Sequence, residues 1–402
     1  MSTESRGAPP KRSGLSRSDQ RLAGMTWAHM INDGAANYFP GVLPAILADA
    51  HEPLSLAGSL VAAMAIGQAV QPLVGWVSDR LGGRAILLTG FAMTSLGGAL
   101  LGETHSIGVL VVLLLVAGIG TSLFHPQALA AARQLSQGRR GLRTSFFLVG
   151  GELGRGLWPT LASLVIVHLG LGYLWIIGIP GLLSIAFVAH WAPSQPRKRA
   201  TKRDDSSSHL HLQGRRLALA TLVAYTGLRG FAIFGLVTFI PVLWRIRGDS
   251  LVAGASVISA ILVVGIVGNL GGGHLTDRLG KRLVLVGSAA AVAVLVVPLG
   301  YVQGPGVWIL ASILGCVLFM TLSTTIMIGQ DIFPESPSLG SGIPLGLGNA
   351  IGALIVLGTG LFVNRSDIHV AFFTMAGASL VAMLTALVFP ATFMGREHRP
   401  VH

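Results

Sequence analysis

The chain has 402 residues, 52% of them hydrophobic and 11% charged. Soluble domains carry roughly 25% charged residues, so water is not the main solvent of this chain. Its net charge of +12 sits in short loops between apolar runs, not in the aromatic-plus-basic stripes of a single-strand binder, which excludes nucleic acid as the expected partner. The single cysteine, Cys316, excludes an intrachain disulfide.

Residues 1–21 read as a polar, disordered cytoplasmic tail. The tail is basic but does not read as a cleavable signal, because the first apolar run continues well beyond an h-region. From there, runs close to the ~20 residues of a bilayer-crossing helix recur to the end of the chain. Twelve spans are predicted: 22–48, 55–78, 84–103, 107–132, 142–168, 172–191, 217–244, 252–276, 282–302, 306–332, 338–363 and 370–393. The fold class is an all-α polytopic membrane protein. A six-helix bundle over 22–191, a polar cytoplasmic linker over 192–216, a second six-helix bundle over 217–394 and a short tail over 395–402 complete the plan. With both termini cytoplasmic, 23 of the 28 Lys and Arg residues fall on the inner side, as the positive-inside rule requires of a plasma membrane protein, inner membrane in a bacterium.

The two halves repeat. GWVSDRLGGR at 75–84 returns as GGHLTDRLGKR at 272–282, and Asp79 and Asp277 are 198 residues apart. The same offset carries Gly150 and Gly154 onto Gly348 and Gly352. Parallel six-helix repeats joined by a basic linker are the plan of one large transporter class.

On these residues the chain resembles the major facilitator superfamily. Its loop signature, G-x-x-x-D-R-x-G-[KR]-[KR], stands at Gly75, Asp79, Arg80, Gly82 and Arg84, with Gly83 where a basic residue is usual. It stands more fully at Gly273, Asp277, Arg278, Gly280, Lys281 and Arg282. Within that superfamily the chain resembles the fosmidomycin resistance family of drug exporters. The residues responsible are His29, Asn32 and Asp33, Gln71-Pro72 with Gly75, Phe124-His125-Pro126, and Gly150-Gly151 with Gly154. The resemblance implies proton-driven efflux, by alternating access, of a small drug-like molecule such as fosmidomycin, a phosphonate. An arginine inside span 4 is common in proton-coupled drug exporters; here His125 stands in that span.

Buried polar residues supply the candidates. Asp33 lies about eleven residues into the first span, near the bilayer midplane at ~1.5 Å per residue. An ionised aspartate there costs roughly 2.5–3.5 kcal/mol, so its place needs a reason. Binding and releasing a proton as access alternates is one; a structural hydrogen-bond cluster is the other. His29 and Asn37 share its helix face. Glu152 and Arg155 are three apart on span 5, and Arg229 lies near mid-depth in span 7. The expected proton-coupling set is Asp33, Glu152, His29 and His125. The expected substrate-binding set is Arg229, Arg155, Asn32, Asn37, Gln68, Gln71, Asn269 and Asn349, with an arginine fork suited to phosphonate or carboxylate oxygens. The alternative is that Glu152–Arg155 and Asp33–Arg229 are structural ion pairs. Asp79, Arg80, Arg84, Arg133, Asp277, Arg278, Arg282 and Asp331 lie at the cytoplasmic helix ends and read as gating charges.

No metal-ligand spacing and no phosphate-binding G-x-x-x-x-G-K-[ST] loop occurs. The chain is therefore expected not to be an enzyme and to need no cofactor beyond a proton gradient. Its expected partners are a small-molecule substrate, protons and the lipid bilayer, and it is expected to work as a monomer. Two alternatives stay open: a proton-coupled importer of a small organic anion, and a non-transporting membrane sensor.

Overall fold

In a computed structural model of the chain, the described residues are 16–81, 83–136, 140–193, 212–334, 337–363 and 368–394. Among them there is no strand. The helices in chain order are α1 (Arg17–Asn37), α2 (Phe39–Asp49), α3 (Ala57–Gln68), α4 (Gln71–Leu81), α5 (Arg84–Ala99), α6 (Ile107–Leu135), α7 (Arg140–Leu169), α8 (Ile179–Trp191) and α9 (Leu212–Arg247). They continue with α10 (Leu251–Leu279), α11 (Lys281–Leu299), α12 (Gly306–Phe319), α13 (Leu322–Ile332), α14 (Pro337–Gly342), α15 (Gly348–Phe362), α16 (His369–Val388) and α17 (Ala391–Met394).

These helices group into twelve segments at the predicted positions, because several spans are broken pairs. Among the described residues, nine segments are long and apolar enough to cross a membrane on their own. The first, third and fifth fall short. α5 has only 16 residues, and α1 and α7 carry the buried carboxylates Asp33 and Glu152.

Prolines stand beside three of the breaks. Pro40 near the start of α2 cannot donate a backbone hydrogen bond, so the helix restarts after Tyr38. The Tyr38 hydroxyl meanwhile donates to the carbonyl of Gly98 at 2.6 Å. α4 restarts in the same way just ahead of Pro72. Between α14 and α15 the chain makes a π turn over Ile343–Leu347, with Pro344 in its first turn.

Two boundaries differ from expectation. α1 starts at Arg17, inside the predicted tail, because Ser16 caps it: its hydroxyl accepts from the Asp19 amide at 3.2 Å, and the Asp19 carboxylate accepts from the Ser16 amide at 3.3 Å. α9 begins at Leu212, five residues into what reads as linker. Of the remaining linker, residues 194–211 lie outside the described residues, as do residues 395–402.

The repeat is visible in the packing. α7 lies along α1, and α15 lies along α9. A Cβ at Gly150 or Gly154 would strike the backbone of Thr26 or Met30; one at Gly348 or Gly352 would strike Thr226 or the Gly230–Phe231 backbone. The paired glycines therefore do one job in both halves: they let a helix pack on the backbone of its neighbour. The halves meet through α7 on α10, α3 on α15 and α2 on α9. There the hydroxyls of Thr160 and Ser259 lie 2.7 Å apart. Leu183 and Phe362, 76% and 80% exposed, face outward, as residues do where lipid replaces water.

Candidate functional site

A cavity of about 160 Å³ lies between the halves. It runs from Asn37 on α1 toward the face that carries the repeated motifs, past Leu129, Ala130, Ile326 and Ser341. A second lobe of about 80 Å³ shares Asn37, Gln68, Arg155 and Asn349 with it and adds Arg229. Of the residues singled out from the sequence, His29, Asp33, Asn37, Gln68, Gln71, His125, Glu152, Arg155, Asn269 and Asn349 line the main cavity. Asn32 does not. It is fully buried, and its side-chain amide donates to Asp33 Oδ1 at 3.2 Å, so it supports the carboxylate from behind.

Asp33 is the hub. His29 and Asp33 are four apart on α1 and point toward α6 and α7. Asp33 Oδ1 lies 2.9 Å from His125 Nε2; Oδ2 lies 3.4 Å from Arg155 Nε and 3.5 Å from His29 Nε2. The Asn37 amide donates to the Asp33 carbonyl at 2.9 Å. Three cationic or ionisable partners on two oxygens account for a carboxylate that is only 2% exposed.

The imidazoles are themselves held. His29 Nδ1 is 3.0 Å from the carbonyl of Phe147, and the two rings stack at a centroid distance of 4.3 Å. His125 Nδ1 is 3.0 Å from the carbonyl of Thr121, one helical turn back on α6. Gly151 leaves the space that the His29 ring occupies; a Cβ there would overlap the ring.

The arginines separate into two kinds. Arg155 pairs with Glu152 on its own helix and with Asp33, and its guanidinium carbon lies 6.0 Å from the centre of the Phe319 ring on α12, in the other half. Arg229 is 6% exposed and has no carboxylate within 4.0 Å among the described residues; Nη1 makes one long contact, 3.5 Å, to the carbonyl of Leu318, and Nε has no partner. Of the two ion pairs the sequence allows, Glu152–Arg155 forms and Asp33–Arg229 does not, because α1 turns Asp33 toward α6 and α7. Glu152 keeps one buried oxygen, Oε2, without a donor.

His29, Asp33 and His125 bring one ligand atom each to within 4.8 Å of one another, a closeness their spacing in the sequence does not reveal. The guanidinium of Arg155 on the same carboxylate disfavours a divalent cation there.

The motif residues lie apart from the cavity. Arg84 donates to the carbonyl of Ala189, and Arg282 to the carbonyl of Phe389 at 2.5 Å. Asp331 pairs with Lys281 at 2.7 Å, and Lys281 also reaches the Phe393 carbonyl at 3.3 Å. Lys281 was readable only as a motif position, where the first copy has Gly83. Asp277 and Arg278 are exposed at the end of α10. The side chains of Asp79, Arg80 and Arg133 lie outside the described residues. Sequence reasoning also passes over Phe147, Thr121 and Ser323. The first two hold the imidazoles through backbone carbonyls, which carry no sequence signal, and Phe147 also stacks its ring on His29; Ser323 donates to Asn269 Oδ1 at 2.8 Å.

A family model described as Major Facilitator Superfamily matches residues 25–343. The Fosmidomycin resistance protein of Escherichia coli (strain K12) is 26% identical over 370 residues, 90% of this chain and 91% of that one. The MFS-type transporter YfnC of Bacillus subtilis (strain 168) is 24% identical over 377 residues, 90% of each chain. A crystal structure of a mutant nucleoside transporter NupG aligns with a TM-score of 0.75 at 12% identity, covering 93% of this chain and 100% of that one, a likeness of fold alone.

Proposed function

The chain belongs to the major facilitator superfamily, and we propose that it is a proton-coupled exporter of a small drug-like molecule such as fosmidomycin. In this reading it works as a monomer by alternating access in a plasma membrane, with both termini cytoplasmic. The observation that carries the reading is Asp33: a carboxylate buried at mid-span, tied to two histidines and an arginine, at the wall of the cavity between the halves. A group so placed changes its partners when it takes a proton, and those partners sit on three different helices.

The proposed cycle uses this chain's own residues. Substrate enters the cavity from the motif face, which the excess of Lys and Arg makes the cytoplasmic one. Its anionic group meets Arg229, a buried guanidinium with no carboxylate within 4.0 Å among the described residues, and its hydrogen-bonding groups meet Asn37, Gln68 and Asn349. The halves rock about the α7–α10 and α3–α15 contacts. A proton arriving at Asp33 and Glu152 from the other side displaces the substrate and is released inward on return. Lys281–Asp331 and the arginine-to-carbonyl contacts of Arg84 and Arg282 are suited to hold helix ends in one state and release them in the other.

A second reading, proton-coupled import of an organic anion, draws on the same Arg229: an anion bound there reduces the positive charge of the cavity and so favours a bound proton beside it. The sign of proton movement separates the two. Purified protein is mixed with fosmidomycin in weak buffer, and the proton count is followed for the wild type and Asp33→Asn. Release by the wild type that is lost in the variant supports the exporter; uptake supports the importer. Binding with no proton movement refutes coupling altogether.

A further inference from the structure

We propose that the exchangeable proton is shared between Nε2 of His125 and Oδ1 of Asp33, with His125 as its door to the cavity. This rests on the proton-coupled reading above and goes further by giving the proton two atoms and an entrance. A backbone carbonyl only accepts hydrogen bonds, so the nitrogen that contacts one must carry the hydrogen. His125 Nδ1, 3.0 Å from the carbonyl of Thr121, is therefore an N–H. In a neutral ring that leaves Nε2 as a bare lone pair. Nε2 lies 2.9 Å from Asp33 Oδ1, and two bare acceptors do not rest at hydrogen-bond distance. One proton must lie in the contact, either as imidazolium against carboxylate or as imidazole against carboxylic acid.

His29 is turned the same way by the Phe147 carbonyl, but its Nε2 is 3.5 Å from Oδ2, a separation that does not demand a hydrogen between them. His29 is thus a positioning residue. The charged and titratable groups around the contact are His29 on α1, Glu152 and Arg155 on α7, and Arg229 on α9 across the adjoining lobe. Exposure picks the entrance. The side chain of His125 is 25% exposed, against 3% for Asp33 and 6% for His29. A proton from the cavity meets the imidazole first.

The test needs no ligand for its first arm. Protein labelled with 15N-histidine is purified, and the ring nitrogens are observed by NMR as pH is raised. The His125 signals are identified by their loss in His125→Asn, with His125→Gln as a second subtraction should the first fail to fold. The expected result is Nδ1–H throughout, with an Nε2 signal displaced from that of a free lone pair in the wild type, whichever of the two atoms holds the shared proton, and returned toward it in Asp33→Asn. A bare Nδ1, or a bare Nε2 against a carboxylate at neutral pH, overturns the proposal. The second arm uses fosmidomycin in proteoliposomes. An asparagine at 125 can still donate to the Thr121 carbonyl but has no atom that reaches Asp33. Whatever rate of fosmidomycin movement His125→Asn retains is therefore expected to be independent of the proton gradient; retained dependence counts against the shared proton. If the wild type moves no fosmidomycin, export of that drug fails, while the NMR arm still decides where the proton sits.

Discussion

A carboxylate in the middle of an apolar helix survives when cationic or hydrogen-bonding groups meet both its oxygens, and Asp33 has them from three helices. The same packing makes its surroundings intolerant of volume. Gly151→Ala places a methyl group where the His29 ring lies. It is expected to lower stability by about 1–3 kcal/mol, the usual cost of overpacking, and to weaken proton-driven transport, because the displaced ring no longer lies beside Asp33. Gly287→Ala, where a Cβ meets nothing, is the control and should change neither thermal unfolding nor transport. Arg229 carries a second prediction. If it receives the anionic group, Arg229→Ala should weaken fosmidomycin binding about 10- to 100-fold, since a charge-assisted hydrogen bond contributes ~1.5–3 kcal/mol, and Arg229→Lys should recover part of it. Calorimetric titration measures both, and unchanged affinity in Arg229→Ala would remove that residue from the substrate site. The candidate residues themselves were legible, because a polar group inside an apolar run stands out. Their partners were not. Whether Asp33 meets Arg155 or Arg229 depends on how α1 is rotated against α7 and α9, and the residues that hold the imidazoles do so through carbonyls or, at Gly151, through a missing side chain.

At the level of elements, the length of apolar runs located all twelve segments, but it could not say which are continuous. Proline does not decide it. Pro126, Pro159 and Pro241 lie inside the unbroken helices α6, α7 and α9, whereas Pro40 and Pro72 stand at breaks. Helix ends were equally beyond reach at α1, where the Ser16 and Asp19 capping box extends the helix into residues that read as tail. At the motif face, the Lys281–Asp331 contact joins the start of α11 to the end of α13. Because the Asp331 side chain is 42% exposed, a double-mutant cycle on Lys281→Ala and Asp331→Ala should give a coupling of about 0.2–1 kcal/mol, as surface pairs do. That is small against the fold but enough to bias two conformations of similar energy. The cycle is read by thermal unfolding of the four proteins; a coupling of zero would leave Asp331 without a part in gating.

Two halves with equivalent helix pairs meet along α7–α10 and α3–α15 around one cavity, the arrangement on which the proposal of alternating access rests. In the arrangement described, the cavity reaches toward the motif face, and the opposite face is closed where α2 packs on α9 and α10. That closure depends on close approach. Gly58 on α3 lies against the backbone of Val356 and Leu357 on α15, and Gly41 on α2 against Pro159 and Ala255. A wedge at the first contact should therefore act on the second, although the two are on different helices. Gly58→Trp is expected to force α3 and α15 apart and shift the population toward opening on the face away from the motifs; a change of ~1.4 kcal/mol alters the ratio of states tenfold. Single cysteines in a Cys316→Ser background report it. Ala130→Cys, at an exposed position lining the cavity on the motif side, should react with a membrane-impermeant thiol reagent in the parent and slow down in the Gly58→Trp protein. Ala255→Cys, at a position fully buried against α2, should be inert in the parent and become reactive with the wedge. Reciprocal changes at the two sites are what a rocking pair of halves requires. If Ala255→Cys became reactive while Ala130→Cys kept its rate, the two faces would open independently, and alternating access would not describe this molecule.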